Sequence, residues 1–298
     1  MSDTLTTNIA ESVTEMVVAT LALMPQQAPM LGLVEKITIG KGFDRVELPR
    51  INSVSTVQTP TEGDELVASS QFDLTSTTIQ PTHRALMVRV HERAEYFSKD
   101  NLIALVSQEL SQTQAQDIDT DLTAEFANFG SGNDVGTTNT DLTLATLRQA
   151  RRLLRANSRA NGGPANDMLR LVISPLVEEN LFTNLGVQGT VATATATGMQ
   201  FIPEGWSQEM MATYSIPQNQ LLGVSVFWDG YMTEDGSSDF ICGMFTQKAL
   251  QFAVSKDWDM RTFEVPNWIG PIIRCVADYN SGVGRYPLHG AQITADGA

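Results

Sequence analysis

Cysteine is almost missing from this chain of 298 residues; Cys242 and Cys275 are the two present, each inside an apolar run. Two thiols do not make a disulfide framework, and their surroundings point to small buried core residues. Histidine is nearly as scarce. His83, His91 and His289 lack any His, Cys or carboxylate neighbour at metal-ligand spacing, so each is expected to be structural. Basic charge is short as well: 19 Lys and Arg face 34 Asp and Glu, for a net charge of −15. That disfavours tight, sequence-independent binding to a nucleic-acid backbone. It suits a soluble protein whose copies repel one another until a contact overcomes the repulsion. No apolar run reaches the roughly 20 residues that cross a bilayer, so no membrane partner is expected. Met1-Ser2-Asp3 has no basic stretch leading into an apolar one, so an intracellular product, or one released by lysis, is expected.

Chemistry-bearing motifs are missing too. There is no P-loop, dinucleotide fingerprint or nucleophile elbow, and Gly282-Val283-Gly284 is too short to cradle a phosphate. Asp117, Asp119 and Asp121 lie two apart, a spacing that points them around a helix rather than together. Trp206, Trp228, Trp258 and Trp268 are spread out and read as packing residues. No catalytic residue, cofactor or metal is expected, and the chain is not expected to be an enzyme. A hydrolase working through paired carboxylates is the remote alternative.

What is present is architectural. Leu102, Ile103, Val106, Leu110, Ala115, Ile118, Leu122, Phe126 and Phe129 form one helical stripe, predicting a single helix over Ser98 to Phe129. Gln108, Ser111, Gln112, Gln116, Asp119 and Asp121 make up its polar side, and Gly130 ends it. Roughly 30 residues rising about 1.5 Å each span about 45 Å. Ahead of it, Ile9, Val13, Met16 and Val17 mark an amphipathic helix that Pro25 closes; with nothing local to pack on, it is either an arm laid on a neighbour or a flap on its own body. Val34 to Ile39, a turn at Gly40-Lys41-Gly42 and a run through Phe43, Val46 and Leu48 carry a hairpin signal. Phe43 to Ile79 then reads as two long polar arms joined by an acidic tip at Pro60-Thr61-Glu62-Gly63-Asp64-Glu65. A two-stranded ribbon of that kind is marginal alone, and its edges invite another chain. Ala85 to His91 is a strong strand leading into the long helix.

Beyond Gly130 the pattern is α+β. Thr140 or Asp141 is a candidate cap for a helix with Leu144, Leu147, Leu153 and Leu154 inward. Its other side carries Arg148, Arg151, Arg152 and Arg155, with Arg159 following. Five of the chain's 14 arginines fall here, as a solvated face, a subunit contact or a basic inner face toward DNA. Leu169 to Ile173 is a buried strand, and Ser174-Pro175 starts a helix to about Leu185. Gly186 to Gly198 is low-complexity and reads as a mobile loop. Strands are expected at Leu221 to Trp228, Phe240 to Phe245, Leu250 to Val254 and Pro271 to Ala277, then a Gly-rich turn from Ser281 and a last short strand.

In this order the parts resemble the major capsid protein of tailed double-stranded DNA phages, the Hong Kong 97-type fold. The resemblance rests on Phe43 to Gly132 and, more loosely, on the Leu142 to Ala156 helix, the Leu171 to Pro175 step, Gly223 to Phe227 and Ile272 to Tyr279. It implies an N-terminal arm (1–33), an extended β-hairpin loop (34–80), a peripheral domain with strand and spine helix (81–140), an axial α+β domain (141–262) and returning peripheral strands (263–298). It implies copies assembling into hexamers and pentamers of an icosahedral shell around packaged double-stranded DNA. The tip residues and the arm residues Ile9, Val13, Met16 and Val17 would then be intersubunit contacts. The expected partners are other copies, a separate scaffolding protein, a portal, decoration or cement proteins, and weak nonspecific contact with DNA. The expected location is the virion, after assembly in the host cytoplasm. An encapsulin-type compartment shell is the near alternative. Some family members cross-link through a loop lysine, but no lysine lies between Lys41 and Lys99, so no such bond is expected. Residues 1–33 are also too short for the long cleaved scaffolding segment of other members.

Overall fold

The computed structural model describes residues 28–51, 62, 74–91, 102–130, 132–160, 167–178, 180–181, 220–232, 234, 238–263 and 272–297. Its strands are β1 (Glu35–Thr38), β2 (Val46–Ile51), β3 (Leu74–Ile79), β4 (Thr82–Arg89), β5 (Asp134–Gly136), β6 (Arg170–Ile173), β7 (Gln220–Leu221), β8 (Val224–Trp228), β9 (Asp239–Phe245), β10 (Leu250–Phe263), β11 (Ile272–Val283) and β12 (Gly290–Asp296). Two long helices join them, α1 (Leu102–Ala124) and α2 (Leu144–Ala160). The architecture is α+β, as the sequence pattern predicts.

The strands form three sheets among the described residues. One runs β1-β10-β11-β4, one β5-β12-β9-β6-β8-β7, and β2 and β3 make a two-stranded ribbon. The six-stranded sheet is apolar on both faces. Phe240, Cys242, Met244 and Phe245 of β9, Leu171, Val172 and Ile173 of β6, and Ala291, Ile293 and Ala295 of β12 are all buried. α2 packs Leu144, Leu147, Ala150 and Leu154 into the same core, and the end of α1 with the turn after it adds Ile118, Leu122 and Phe126. The four-stranded sheet is thinner. Leu110 of α1 meets Ile273 and Cys275 of β11 there, flanked by Leu86, Val88, Val90, Val106 and Trp258.

Several expectations change. β1 does not form a hairpin with the run that follows it; it pairs in parallel with β10, Glu35 opposite Gln251 through Thr38 opposite Val254. Ile39 N–H donates to the Val254 carbonyl at 2.8 Å, and Gly42, at φ 95°, turns the chain away. β1 and β2 share a small core instead of a ladder: Ile39, Leu48, Ile79 and Ala253, with Ile37 and Val46 against them. The long helix is α-helical only to Ala124; Glu125–Asn128 is a 3-10 turn and Phe129 is extended. Tightening the last turn is a common way to end a helix. It sets the Phe126 and Phe129 rings 5.5 Å and 6.1 Å from Phe245. The helix start at 98–101 lies outside the described residues. Ser111 and Asp119, assigned to the polar side, are fully buried. Ser111 meets its need within the helix, donating to the Gln108 carbonyl at 2.8 Å.

The segment boundaries do not coincide with the sheets either. β10, in the segment read as axial, pairs with β11 and lies in the sheet of β4, while β12, in the returning peripheral segment, pairs with β9 and β5. Strand partnership is a long-range property with no local signature. β10 also runs nine residues beyond the expected Val254. Register shifts between Val254 and Asp259 let the polar stretch sit outside the regular ladder. β11 continues through Gly282, expected in a turn, because Gly282 and Val283 still pair with Gln251 and Leu250 of β10; a Cβ at Gly282 would stand 3.0 Å from the Ile79 side chain.

Candidate functional site

The basic helix is the best-defined surface feature. Its N-cap is Thr143, whose Oγ1 accepts the Thr146 N–H at 3.3 Å while its carbonyl accepts the Leu147 N–H at 3.2 Å. Neither Thr140 nor Asp141 takes that place. Thr140 is held in the preceding loop, where its carbonyl accepts the Asp296 N–H at 3.0 Å. With the leucines turned to the sheet, Arg148, Arg151, Arg152 and Arg155 fall at i, i+3, i+4 and i+7 along the adjoining flank of the helix. Arg148 and Arg152 are exposed; Arg151 and Arg155 are half-buried.

The ribbon is fixed at its base. β2 and β3 pair antiparallel from Val46 opposite Ile79 to Ile51 opposite Leu74, and the midpoint of the intervening chain falls between Glu62 and Gly63. Both strands are edges, so Pro49 is tolerated in β2. Of the expected tip contacts, Glu62 is an exposed turn residue, and Pro60, Thr61, Gly63, Asp64 and Glu65 lie outside the described residues. So do Ile9, Val13, Met16 and Val17 of the arm. The root of the arm is described. Ala28, Met30, Leu33 and Val34 are buried, Met30 N–H donates to Asp119 Oδ1 at 3.3 Å, and the Arg170 guanidinium donates to the Leu33 carbonyl. Burial, the neighbouring Asp229 and the countering Met30 N–H leave the Asp119 carboxyl pushed up to about 8, so it is protonated at neutral pH.

The aspartates that the sequence reading dispersed do partly converge. Asp117 and Asp121, one helical turn apart, both reach Arg84 of β4, Asp117 at 3.7 Å and Asp121 in a short hydrogen bond. Tyr279 of β11 donates its hydroxyl to Asp117, and Ser281 Oγ donates to the Asp121 carbonyl at 3.1 Å. Burial, then the Asp117 carboxylate, raise the Tyr279 phenol, which therefore stays a donor. Burial raises Asp121, and Arg84 opposes that shift. His83 and Asp278 meet at 2.5 Å on the same strand pair. This cluster clamps α1 to the four-stranded sheet. The i, i+4 spacing of Asp117 and Asp121 was its one sequence signal.

None of this builds a reaction centre among the described residues. No group of three or more His, Cys, Asp or Glu is placed to hold a metal ion. Cys242 and Cys275 are buried and unpaired, and burial holds their thiols up at about 12 and about 11. His289 is buried, stacked on Tyr286 at 4.9 Å, and shifted down by burial.

No protein-family model and no curated protein sequence matches the chain. Solved structures do. The capsid of a native GTA particle superposes with a TM-score of 0.65 at 10% identity, covering 91% of this chain and 90% of that one. Microbacterium phage Oxtober96 gives 0.63 at 12% identity, covering 89% and 90%. The SrpI encapsulin of Synechococcus elongatus gives 0.60 at 10% identity, covering 90% and 86%. At such identities the likeness establishes the fold, and it does so over nearly the whole length of both chains.

Proposed function

We propose that this chain, which has the Hong Kong 97-type fold of tailed-phage capsid proteins, is a major capsid protein that assembles into the shell of a virion. The observation that carries the reading is the fold match, spanning about nine-tenths of each chain. Hexamers and pentamers around packaged DNA follow as the finer form of the proposal. The chain's role in it is structural, without chemistry of its own. The ribbon supports it physically: beyond the base, where Leu48 and Ile79 are buried, two edge strands gain little by themselves and gain more on a neighbour. Modest contacts repeated by symmetry close a shell.

The encapsulin reading stands beside it, because the SrpI match is of the same quality. Electron micrographs of the expressed chain test both: closed shells are expected, and a stable monomer under all conditions, other phage proteins included, refutes both. Particles carrying an enzyme cargo and no genome favour the encapsulin. Removing residues between Pro60 and Leu66 is expected to leave the monomer folded and to block or weaken assembly. Shells of normal stability from that variant show that the ribbon tip is not a clamp.

A further inference from the structure

The arginine stripe of α2 is out of keeping with the rest of the molecule. The 17 residues of α2 include five of the 14 arginines and no acidic residue, so the remainder of the chain is even more acidic than the net charge of −15 implies. Arg148, Arg151 and Arg152 take part in none of the ion pairs among the described residues, which join other elements. The leucines of the helix are spent on the core, and the stripe runs along the flank beside them, with Arg148 and Arg152 exposed. Four arginines from i to i+7 cover about 10 Å of helix. All are arginine and none is lysine, the choice that suits planar, two-pronged pairing with carboxylates or phosphates.

We infer that this stripe is a docking surface for a carboxylate-bearing face of a second copy of the same chain. The inference rests on the shell reading, and charge complementarity selects the occupant. Every copy is a polyanion, and in a shell copies stand side by side, so each stripe has an acidic neighbour and each neighbour a stripe. DNA is the less favoured partner, since the same net charge repels phosphate wherever the stripe is not in direct contact. The contact is heterologous, the stripe of one copy on a different surface of the next, as a closed ring requires. It offsets part of the like-charge repulsion that a net −15 imposes on assembly.

The test uses the intact chain with Arg148→Gln, Arg151→Gln and Arg152→Gln combined, beside the matching triple Arg→Lys variant. Shell yield by sedimentation, nucleic acid per shell, and monomer folding by circular dichroism are read at low and high ionic strength. The expected result is a folded monomer, a shell yield lowered roughly ten-fold at low salt, and partial recovery in the lysine variant. If the glutamine triple does not fold, the exposed single variant Arg152→Gln is read the same way, with a drop of roughly two- to three-fold expected. Unchanged yield and stability of the variant shells overturn the inference and leave the capsid reading standing. Normal yield with less nucleic acid retained also overturns it, and identifies the partner as DNA. A wild-type chain that never forms shells refutes both readings.

Discussion

The two main sheets are held together by different forces. The six-stranded sheet is sealed by side-chain packing. Phe126, Phe129 and Phe245 cluster within 6.1 Å of one another, and Gly243 and Gly290 make room for the Phe126 and Phe129 rings. The four-stranded sheet carries most of the charge chemistry. Of the ion pairs among the described residues, all but Lys248 with Asp167 lie in or beside that sheet and its ribbon. β4, one of its two edges among the described residues, alternates exposed and half-buried residues, with Met87 53% exposed. One sheet completes its own core. The other leaves more of its surface exposed among the described residues.

That contrast predicts unequal responses to mutation. Phe126→Ala is expected to have the largest effect, a loss of about 3–5 kcal/mol on urea unfolding, because two other rings and Gly243 close around that site. A loss under 1 kcal/mol would mean that the six-stranded core is looser than its burial implies. Asp119 comes next and has a pH signature. Its folded carboxyl sits at about 8 against an ordinary value of 3.8, so the folded state holds a proton that the unfolded state gives up. Stability is therefore expected to fall as pH rises from about 4 to about 8 and then to level off. Asp119→Asn keeps an acceptor for Met30 and removes the titration. Its melting temperature relative to wild type should rise between pH 5 and pH 8, and a difference that stays flat or shrinks excludes the assignment.

The clamp at Arg84 is expected to matter less. Arg84→Gln should cost about 1–2 kcal/mol, since Arg84, Asp117 and Asp121 are each partly open to water. Hydrogen exchange should locate the loss in α1 and β4; loss spread evenly over the six-stranded sheet would erase the contrast. Lys36→Ala, which removes the exposed pair with Asp257, should change stability by no more than about 0.5 kcal/mol.

Some of this was legible in the residues and some was not. The α1 stripe was, because Leu110, Ala115, Ile118, Leu122 and Phe126 recur at helical spacing and all are buried. So was the helix start at Ser174, whose Oγ accepts the Leu176 N–H at 3.4 Å. The arginine face of α2 was plain from composition. Three things were hidden. β1 sought β10, more than two hundred residues away, instead of the run beside it. Ser111 and Asp119 were buried because α1 is covered by more than the one sheet its stripe suggested. Arg84 drew Asp117 and Asp121 together from a different strand.

By itself the sequence determined the elements and their order: a ribbon with an acidic middle, a long helix, a basic helix and a second half rich in strands. Periodicity and turn residues act within a few positions, so they can be read along the chain. Only the tertiary structure decided which strands share a sheet, where the helix tightens into its last turn and which carboxylates meet an arginine. Those outcomes depend on burial and pairing between residues far apart in the chain, where one apolar or charged partner resembles another until the fold brings them together.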